Sequence, residues 1–337
     1  MTATATPAAV IAGLGTALPA RVVTNAMLAQ RLDTSDEWIR RRTGIGQRRV
    51  VEQGTATSDL AVEAGARALK SARSDGADLV VLATTTPDFP CPATAPEVAC
   101  RLGLGPVGAF DVAAVCSGFV YALAVGSGAI AAGLGTRVLV IGADTFSTII
   151  DPTDRGTATI FGDGAGAVLL RAGERTEPGA VLAVDLGSDG TLTDIMGVPA
   201  GGSRQRTSGR EPEPAESWFT MRGNAVFKYA VQRMVASTRA VLDRTGWATG
   251  DVDRLVAHQA NIRIIAAVAA QLGLPPERAV TNLERVGNTA AASIPLALAD
   301  GVTAETVRPG HRVAVTSFGG GASWGSVTFV WPEVELA

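Results

Sequence analysis

The chain has 337 residues, with 29 Lys and Arg against 32 Asp and Glu, and this near-neutral balance argues against electrostatic binding of nucleic acid. Its 2 His and 3 Cys show no CxxC or HxxxH spacing, so a metal centre is not expected. An odd number of unpaired Cys and a start without a signal-peptide pattern predict a reducing compartment, the cytoplasm.

Short β-branched runs alternate with Ala-rich stretches along the chain, a pattern typical of an α/β fold. Capping residues predict helix starts at residues 34–37 and 57–59. The glycines of residues 13–18 lack a dinucleotide fingerprint, and those of residues 162–166 precede a strand, so both segments are predicted to be tight turns. The predicted strands are residues 80–82, 108–112, 137–141, 167–170 and 313–315.

One segment is long enough to span a bilayer, because 25 uncharged residues lie between Asp111 and Arg137. Its apolar content is mostly Ala and Gly, and no aromatic or basic belt flanks it. We therefore predict a helix buried on all sides in a large core rather than a membrane span. Residues 197–214, rich in Gly and Pro, are predicted to be an exposed loop.

The two halves of the chain resemble each other. Residues 77–83 match residues 252–258, and residues 136–140 match residues 311–315, both with an offset of 175 residues (312 − 137). The final strand of each half follows a Gly-rich turn with a shorter offset of 159 (325 − 166). This indicates an internal duplication with an insertion in the first half, and chance similarity between α/β units is the alternative.

The candidate nucleophile is Cys116, which follows a predicted strand and opens the buried helix. The helix dipole and free N–H groups at that position are expected to lower the pKa of the thiol. Cys100 fits an ordinary small buried residue, and Cys91 lies in a loop between two prolines.

The remaining candidates lie in the second half. His258 ends a predicted strand, and Asn288 precedes a helix for which it could also be only a cap. The Phe-Gly-Gly-Gly segment of residues 318–321 could be a loop or backbone packed closely against a reacting group. His311 lies in a polar turn. Together with Cys116, these groups supply a thiolate, an imidazole, an amide and close backbone, which suit chemistry on a thioester or amide carbonyl.

These segments resemble the signature blocks of β-ketoacyl-acyl-carrier-protein synthase III along essentially the whole chain. The resemblance implies the duplicated thiolase fold with five αβαβα layers. Its halves would be residues 1–178, with the nucleophilic Cys, and residues 179–337, with the His and Asn. The matching blocks are residues 35–39, 42–45, 112–119, 151–157, 258–261, 287–289 and 318–321.

The resemblance also implies a mechanism. Cys116 would attack the thioester of a primer acyl-CoA, and the backbone N–H groups of Cys116 and Gly320 would meet the oxyanion. His258 and Asn288 would donate to the enolate oxygen that forms when a malonyl-carrier thioester loses CO2. Phe318 would line the malonyl side and disfavour the carboxylate.

Substrates and partners are implied in the same way. The adenine of CoA would lie between Trp38 and Arg155, with Thr34, Arg42 and Asn224 on the rest of the molecule. Acyl-CoA would be a substrate, no cofactor would be needed, malonyl-acyl carrier protein would be the second substrate, and the enzyme would be a homodimer. No membrane or nucleic-acid partner is expected.

The chain departs from the family pattern at two places. Cys91 stands where a Phe of the partner subunit often closes the acyl pocket, so primers longer than acetyl or branched ones are expected. Ala270 and Gln271 replace basic residues of the carrier-docking helix, which leaves docking to Arg263 and Lys228.

Three other functions compete with condensation as explanations of these residues. The order Cys, His, Asn also occurs in papain-like hydrolases, but a nucleophile that follows a hundred residues of α/β pattern argues against them. A relative that transfers an acyl group to a specialised acceptor without condensation stays open, because the docking helix is altered. A catalytically silent scaffold is not expected when the Cys, His and Asn are all present.

Overall fold

The computed structural model describes residues 6–337, and its strands and helices both contribute to the buried core. The strands are β1 (Ala8–Ala17), β2 (Val22–Thr24), β3 (Gln47–Arg49), β4 (Leu79–Ala83), β5 (Gly108–Val112), β6 (Arg137–Asp144), β7 (Gly164–Gly173), β8 (Ala183–Ser188), β9 (Met196–Gly197), β10 (Thr220–Met221), β11 (Arg254–Ala257), β12 (Arg312–Gly319) and β13 (Ser323–Val330).

The α-helices lie between these strands, and most connect consecutive ones. They are α1 (Asn25–Ala29), α2 (Asp36–Thr43), α3 (Thr57–Ser71), α4 (Ala95–Arg101), α5 (Gly118–Ala131), α6 (Arg155–Ala158), α7 (Ser203–Arg206), α8 (Gly223–Thr245), α9 (Ile262–Leu272), α10 (Leu283–Val286) and α11 (Ser293–Thr303). No helix of residues 6–337 is long and apolar enough to cross a membrane.

Two mixed sheets form the framework. The first has the strand order β1-β7-β6-β4-β5, and the second has the order β11-β12-β13-β8. Helices α5 and α11 pack between the sheets, α3 covers the outer face of the first, and α8 covers the outer face of the second. This is the predicted thiolase-like fold with five αβαβα layers, and the prediction is confirmed.

Strand β4 shows why the sequence gives this layering. All five of its residues are buried, as expected for a parallel strand between two others. Because successive side chains point to opposite faces, Val80 and Leu82 pack towards α3, whereas Val81 and Ala83 pack towards α5. A strand covered on both faces is apolar at every position, so its sequence reads as a short continuous run.

The offset of 175 residues found in the sequence recurs in the elements. Strands β6 and β12 begin and end at residues related by this offset, and so do the 3₁₀ turns Val115–Ser117 and Ala290–Ala292. The first sheet uses strands between residues 8 and 173, and the second uses strands between residues 183 and 330. These observations support the duplication, while the boundary at residues 178 and 179 stays a prediction.

The predicted helix starts lie where capping side chains are found. The Ser35 hydroxyl accepts from the backbone N–H of Trp38 at 3.1 Å and begins α2. At the start of α3, the Asp59 carboxylate accepts from the backbone N–H of Ala56 at 2.8 Å. Most of residues 197–214 are exposed, as predicted, although α7 interrupts this loop.

The prediction of a tight turn at residues 13–18 is wrong. Residues 13–17 belong to β1, which pairs with β7. The glycines serve packing: a Cβ atom on Gly13 or Gly15 would overlap backbone atoms of α3. The prediction for residues 162–166 is also wrong in part, since Gly164 already begins β7. Glycine in a strand can mark a close approach as well as a turn.

Helix α5 is less buried than predicted. Its apolar residues contact both sheets, but Val125 is 37% exposed and Gly128 has open space beside it. The helix lies between two layers, yet one of its faces is covered by neither sheet. Cys100 is likewise exposed rather than buried, because it follows Val98 and Ala99, which point into the core from the other side of α4.

Substituting Gly15→Ala tests the close approach of β1 and α3. The added methyl group would overlap the helix backbone, so we expect a loss of unfolding free energy of about 1–3 kcal/mol, measured by urea denaturation. The control is Gly250→Ala, at an exposed position with open space, which we expect to change stability by less than about 0.5 kcal/mol. Equal stability of the two variants would contradict this packing.

Candidate active site

One cavity of about 340 Å³ brings together residues from both halves of the chain. Cys116, His258, Asn288 and Phe318 line it, and so do Trp38, Arg42, Asn224 and Arg263. The cavity wall is otherwise mainly apolar. Its apolar residues include Ile160, Phe161, Met196, Phe219, Met221, Val226, Phe227, Ala230, Met234 and Ile264.

Cys116 lies in the 3₁₀ turn that leads into α5, and it is 6% exposed. Val115 before it has a φ of 48°, which turns the chain sharply from β5 into the helix. The expected lowering of the thiol pKa is wrong. Burial raises the pKa of Cys116, and the nearby Asp144 carboxylate raises it further, against the opposing effect of the Cys116 backbone N–H.

His258 follows β11 and is 3% exposed. Its Nδ1 lies 2.6 Å from the Ser293 hydroxyl oxygen, which also accepts from the backbone N–H of Gln259 at 3.4 Å. With the Ser293 hydroxyl donating to Nδ1, the neutral ring would carry its proton on Nε2. Burial lowers the pKa of His258 to about 3, so the ring is an uncharged donor at neutral pH.

Asn288 is held by its backbone on both sides. Its N–H donates to the Ile160 carbonyl at 3.0 Å, and its carbonyl accepts from the Gly162 N–H at 2.9 Å. The side-chain oxygen accepts from the backbone N–H of Ala290 at 2.9 Å. This bond orients the amide group and leaves its NH2 available as a donor towards the cavity.

The other polar residues of the His258 segment are structural. Gln259 is fully buried, and its amide donates to the carbonyls of Ala257 and Val280. Asn261 caps α9 and donates to the Arg42 carbonyl at 2.9 Å. Of this block, His258 is therefore the residue whose side chain is available to a substrate. Its neighbours hold β11, α9 and the segment that contains Trp38 in place.

The Phe-Gly-Gly-Gly turn runs directly against the nucleophile. A Cβ atom on Gly319 would lie 2.8 Å from the Ala114 carbonyl oxygen and 2.9 Å from the Cys116 backbone nitrogen. Glycine is therefore required for this approach, as the sequence suggested. Gly320 lies next to Val115 and Met196, in the turn between β12 and β13.

The predicted nucleotide residues are only partly assembled. Arg155 and Arg42 place their guanidinium carbons 4.7 Å and 4.8 Å from the centre of the Trp38 ring. Arg155 also donates to the Asp33 carbonyl at 2.7 Å. Because Arg155 stacks directly on Trp38, an adenine could lie between them only after this arginine moves.

Five predicted residues do not line the cavity of this chain, and one of them is Gly320, in the turn between β12 and β13. Arg155 and Thr34 lie beside it, and Lys228 lines a separate groove along α8. Cys91 is exposed on the loop before α4. Ser293 and the apolar wall around Phe161 and Phe219 belong to the site but were not predicted from the sequence. Ser293 follows Asn288 by five residues and begins α11, and no spacing in the sequence indicates its contact with His258.

The layered arrangement of two sheets around a central pair of helices defines a thiolase-like α/β enzyme. Residues 110–190 match the family model of 3-oxoacyl-[acyl-carrier-protein (ACP)] synthase III, and residues 242–331 match the model of its C-terminal part. The chain belongs to this family, which is also called β-ketoacyl-acyl-carrier-protein synthase III, and it is a transferase.

Relatives match over nearly the full length. Beta-ketoacyl-[acyl-carrier-protein] synthase III 5 of Streptomyces coelicolor is 60% identical, covering 97% of this chain and 98% of that protein. The crystal structure of the synthase III of Pseudomonas aeruginosa is 52% identical with a TM-score of 0.92, over 97% of this chain and 99% of that one. The priming β-ketosynthase of the R1128 polyketide pathway is 32% identical with a TM-score of 0.90, over 99% of each chain.

The depressed pKa of His258 predicts how stability depends on pH. The ring binds a proton more weakly in the folded than in the unfolded chain. Its contribution to the free energy of unfolding is therefore complete above pH 6.5 and is lost as the pH falls towards 3. Between pH 7 and pH 5 this loss is expected to be about 2 kcal/mol. Urea denaturation of a His258→Asn variant should show correspondingly less loss over this range.

The second histidine provides the control. His311 is half-buried in a turn, where its Nδ1 accepts from the backbone N–H of Arg308 at 3.2 Å. A His311→Asn variant removes the other histidine, and its stability is measured over the same pH range. If the two variants lose stability equally between pH 7 and pH 5, His258 is not held neutral by burial.

Proposed function

We propose that this chain starts fatty-acid or polyketide chains by condensing a primer acyl-CoA with malonyl-acyl carrier protein through an acyl group on Cys116. The observation that supports it best is that one cavity contains a thiol and two uncharged donors, the His258 ring and the Asn288 amide. A cysteine hydrolase would instead need a basic imidazole beside the thiol, and the lowered pKa of His258 makes it a poor base.

The first half-reaction loads the primer. The Cys116 sulfur attacks the acyl-CoA carbonyl, the carbon–sulfur bond to CoA breaks, and the thiol proton ends on the departing CoA thiol. The backbone N–H groups of Cys116 and Gly320 are proposed to donate to the oxyanion. Cys116 lies at the start of α5, where the helix dipole favours the negative charge that develops during this attack.

The second half-reaction extends the acyl group by two carbons. The malonyl thioester loses CO2, and the electron pair forms an enolate whose oxygen accepts from Nε2 of His258 and the NH2 of Asn288. The enolate carbon attacks the acyl carbonyl on Cys116, and the cysteine sulfur leaves and regains a proton. Phe318 presents an apolar surface, which disfavours the malonyl carboxylate relative to CO2.

Substrate binding is proposed on the residues around the cavity. Trp38, Arg155, Thr34, Arg42 and Asn224 would hold CoA, with Arg155 moving off the Trp38 ring to admit the adenine. The Thr34 hydroxyl oxygen is buried without a hydrogen-bond partner among the described residues, so it would bind a polar group of the substrate only after it is uncovered. Enzymes of this family work without a cofactor.

Docking of the acidic carrier protein is proposed on Arg263 and Lys228. Arg263 lies at the start of α9 and lines the cavity, with its guanidinium carbon 5.7 Å from the centre of the Phe227 ring. Lys228 lies on α8 beside the neighbouring groove. The two cations therefore flank the surface from which a carrier-bound malonyl group would enter.

A homodimer is proposed from the free edge of the first sheet. Strand β5 is the edge strand, and Phe110 on it is 39% exposed. Phe89 and Val125 are also exposed apolar residues in the segments around β5 and α5. An unpaired strand edge with exposed apolar side chains is suited to pairing with a second copy. The cytoplasm stays a prediction from the sequence.

The mass of the product tests the proposed function. We expect acyl-CoA to leave its acyl group on Cys116, seen by intact-protein mass spectrometry, and malonyl-carrier then to yield a product two carbons longer with release of CO2. Cys116→Ala should abolish the label, whereas Cys100→Ala, at an exposed cysteine, should keep it. An acyl group transferred to an acceptor without CO2 release would instead establish acyl transfer alone.

Substituting Cys91→Phe tests the proposed acyl pocket. The larger side chain, contributed from the partner subunit, is expected to shorten the pocket and lower labelling of Cys116 by branched or longer acyl-CoA at least tenfold relative to acetyl-CoA. Cys100→Phe provides the matched control, since both cysteines are exposed in this chain. If Cys91→Phe leaves the preference among acetyl, butyryl and isobutyryl primers unchanged, Cys91 does not line the pocket.

A further inference from the structure

The internal duplication places Ala291 at the position that corresponds to Cys116. Both follow a residue with an unusual left-handed backbone, Val115 with a φ of 48° and Ala290 with a φ of 47°. Both lie in 3₁₀ turns that begin 175 residues apart and lead into the two central helices, α5 and α11. The two turns therefore present a backbone N–H group in the same way.

This N–H group has a side-chain acceptor in the second half of the chain but not in the first. In the second half, the backbone N–H of Ala291 donates to Oδ2 of Asp144 at 2.9 Å. Asp144 ends β6, and the residue that ends β12 at the same offset is Gly319. Gly319 has no side chain to accept from the Cys116 N–H, and even a Cβ atom there would lie 2.9 Å from that nitrogen.

Asp144 is a fully buried carboxylate that the proposed reaction does not use. Its Oδ1 accepts from the Thr85 N–H at 2.6 Å and from the hydroxyls of Thr86 and Thr84 at 3.2 Å and 3.3 Å. Its Oδ2 accepts from Ala291. The three threonine contacts belong to the first half of the chain, so the carboxylate links the end of β4 to the loop of the second half.

We propose that Asp144 is a positioning residue. In the second half its carboxylate permanently accepts from the N–H group at Ala291, whereas in the first half the corresponding N–H group at Cys116 stays open for the substrate oxyanion. The residues around Ala291 explain what this would do. The Ala290 N–H orients the Asn288 amide, and Ser293 orients the His258 ring. A single bond from Asp144 to Ala291 thus fixes the loop that carries both contacts, and with it the two donors for the enolate.

This inference rests on the proposed function, and Asp144→Asn tests it. The amide oxygen can keep the three donors of residues 84–86, but its NH2 then faces the Ala291 N–H, so donor meets donor. We expect the KM for acyl-CoA to stay within about twofold and the acylation rate of Cys116 not to fall, because the variant removes a charge that raises the pKa of the thiol. The kcat for condensation should fall about 10- to 100-fold, since an unpaired N–H displaces the loop.

Two further variants make the test decisive. Asp144→Ser leaves room for a water beside Ala291. It should likewise keep acylation and lower the kcat for condensation, but by a smaller factor than Asp144→Asn. Asp78→Asn is the matched control: Asp78 accepts from the backbone N–H groups of Thr136 and Arg137 at the opposite end of β6, at 2.7 Å and 2.9 Å. It should leave both half-reactions at the rate of the unsubstituted enzyme.

The outcomes separate the inference from the function on which it rests. If the unsubstituted enzyme neither acylates Cys116 nor condenses, the proposed function fails. If it does both, and Asp144→Asn either keeps condensation or loses acylation in equal proportion, the positioning role is overturned and the function stands. Failure of both Asp144 variants to fold, with Asp78→Asn folded, would assign Asp144 to stability and also overturn the role.

Discussion

The site depends on how closely the backbone of each half approaches the other. Gly319 runs against the turn that carries Cys116, and Gly142, two residues before the end of β6, runs against the Ala291 carbonyl. Neither position has room for a Cβ atom. These two contacts bring the starts of α5 and α11 together between the sheets, so that Cys116 and Asn288 line one cavity although they lie in different halves.

Burial between the layers sets the protonation state of the site. The same loss of hydration lowers the pKa of His258 and raises that of Cys116, so both groups rest in their uncharged forms. A neutral ring suits donation to an enolate better than it suits proton abstraction. The thiol must then become nucleophilic as substrate binds, where the N–H groups at the start of α5 favour developing negative charge.

Duplication gave the two halves the same turn before a central helix, and they have diverged in what that turn does. The first half keeps the cysteine and an uncovered N–H group, whereas the second supplies Asn288, Ser293 and the contact with His258. Asp144 and Gly319 occupy corresponding strand ends. The Asp144 carboxylate accepts from the Ala291 N–H group, whereas Gly319 has no side chain to accept from the Cys116 N–H group.

The sequence by itself determined the α/β class, the duplication, the family and the prediction of Cys116, His258 and Asn288, because local runs and spaced motifs carry that information. It misplaced residues 13–18 and Cys100, since a glycine's packing role and the buried face of a short helix depend on distant neighbours. Only the tertiary structure showed the raised pKa of Cys116, the Ser293 contact and the Asp144 bridge. Each of these arises from burial or from atoms that the chain brings together across many residues.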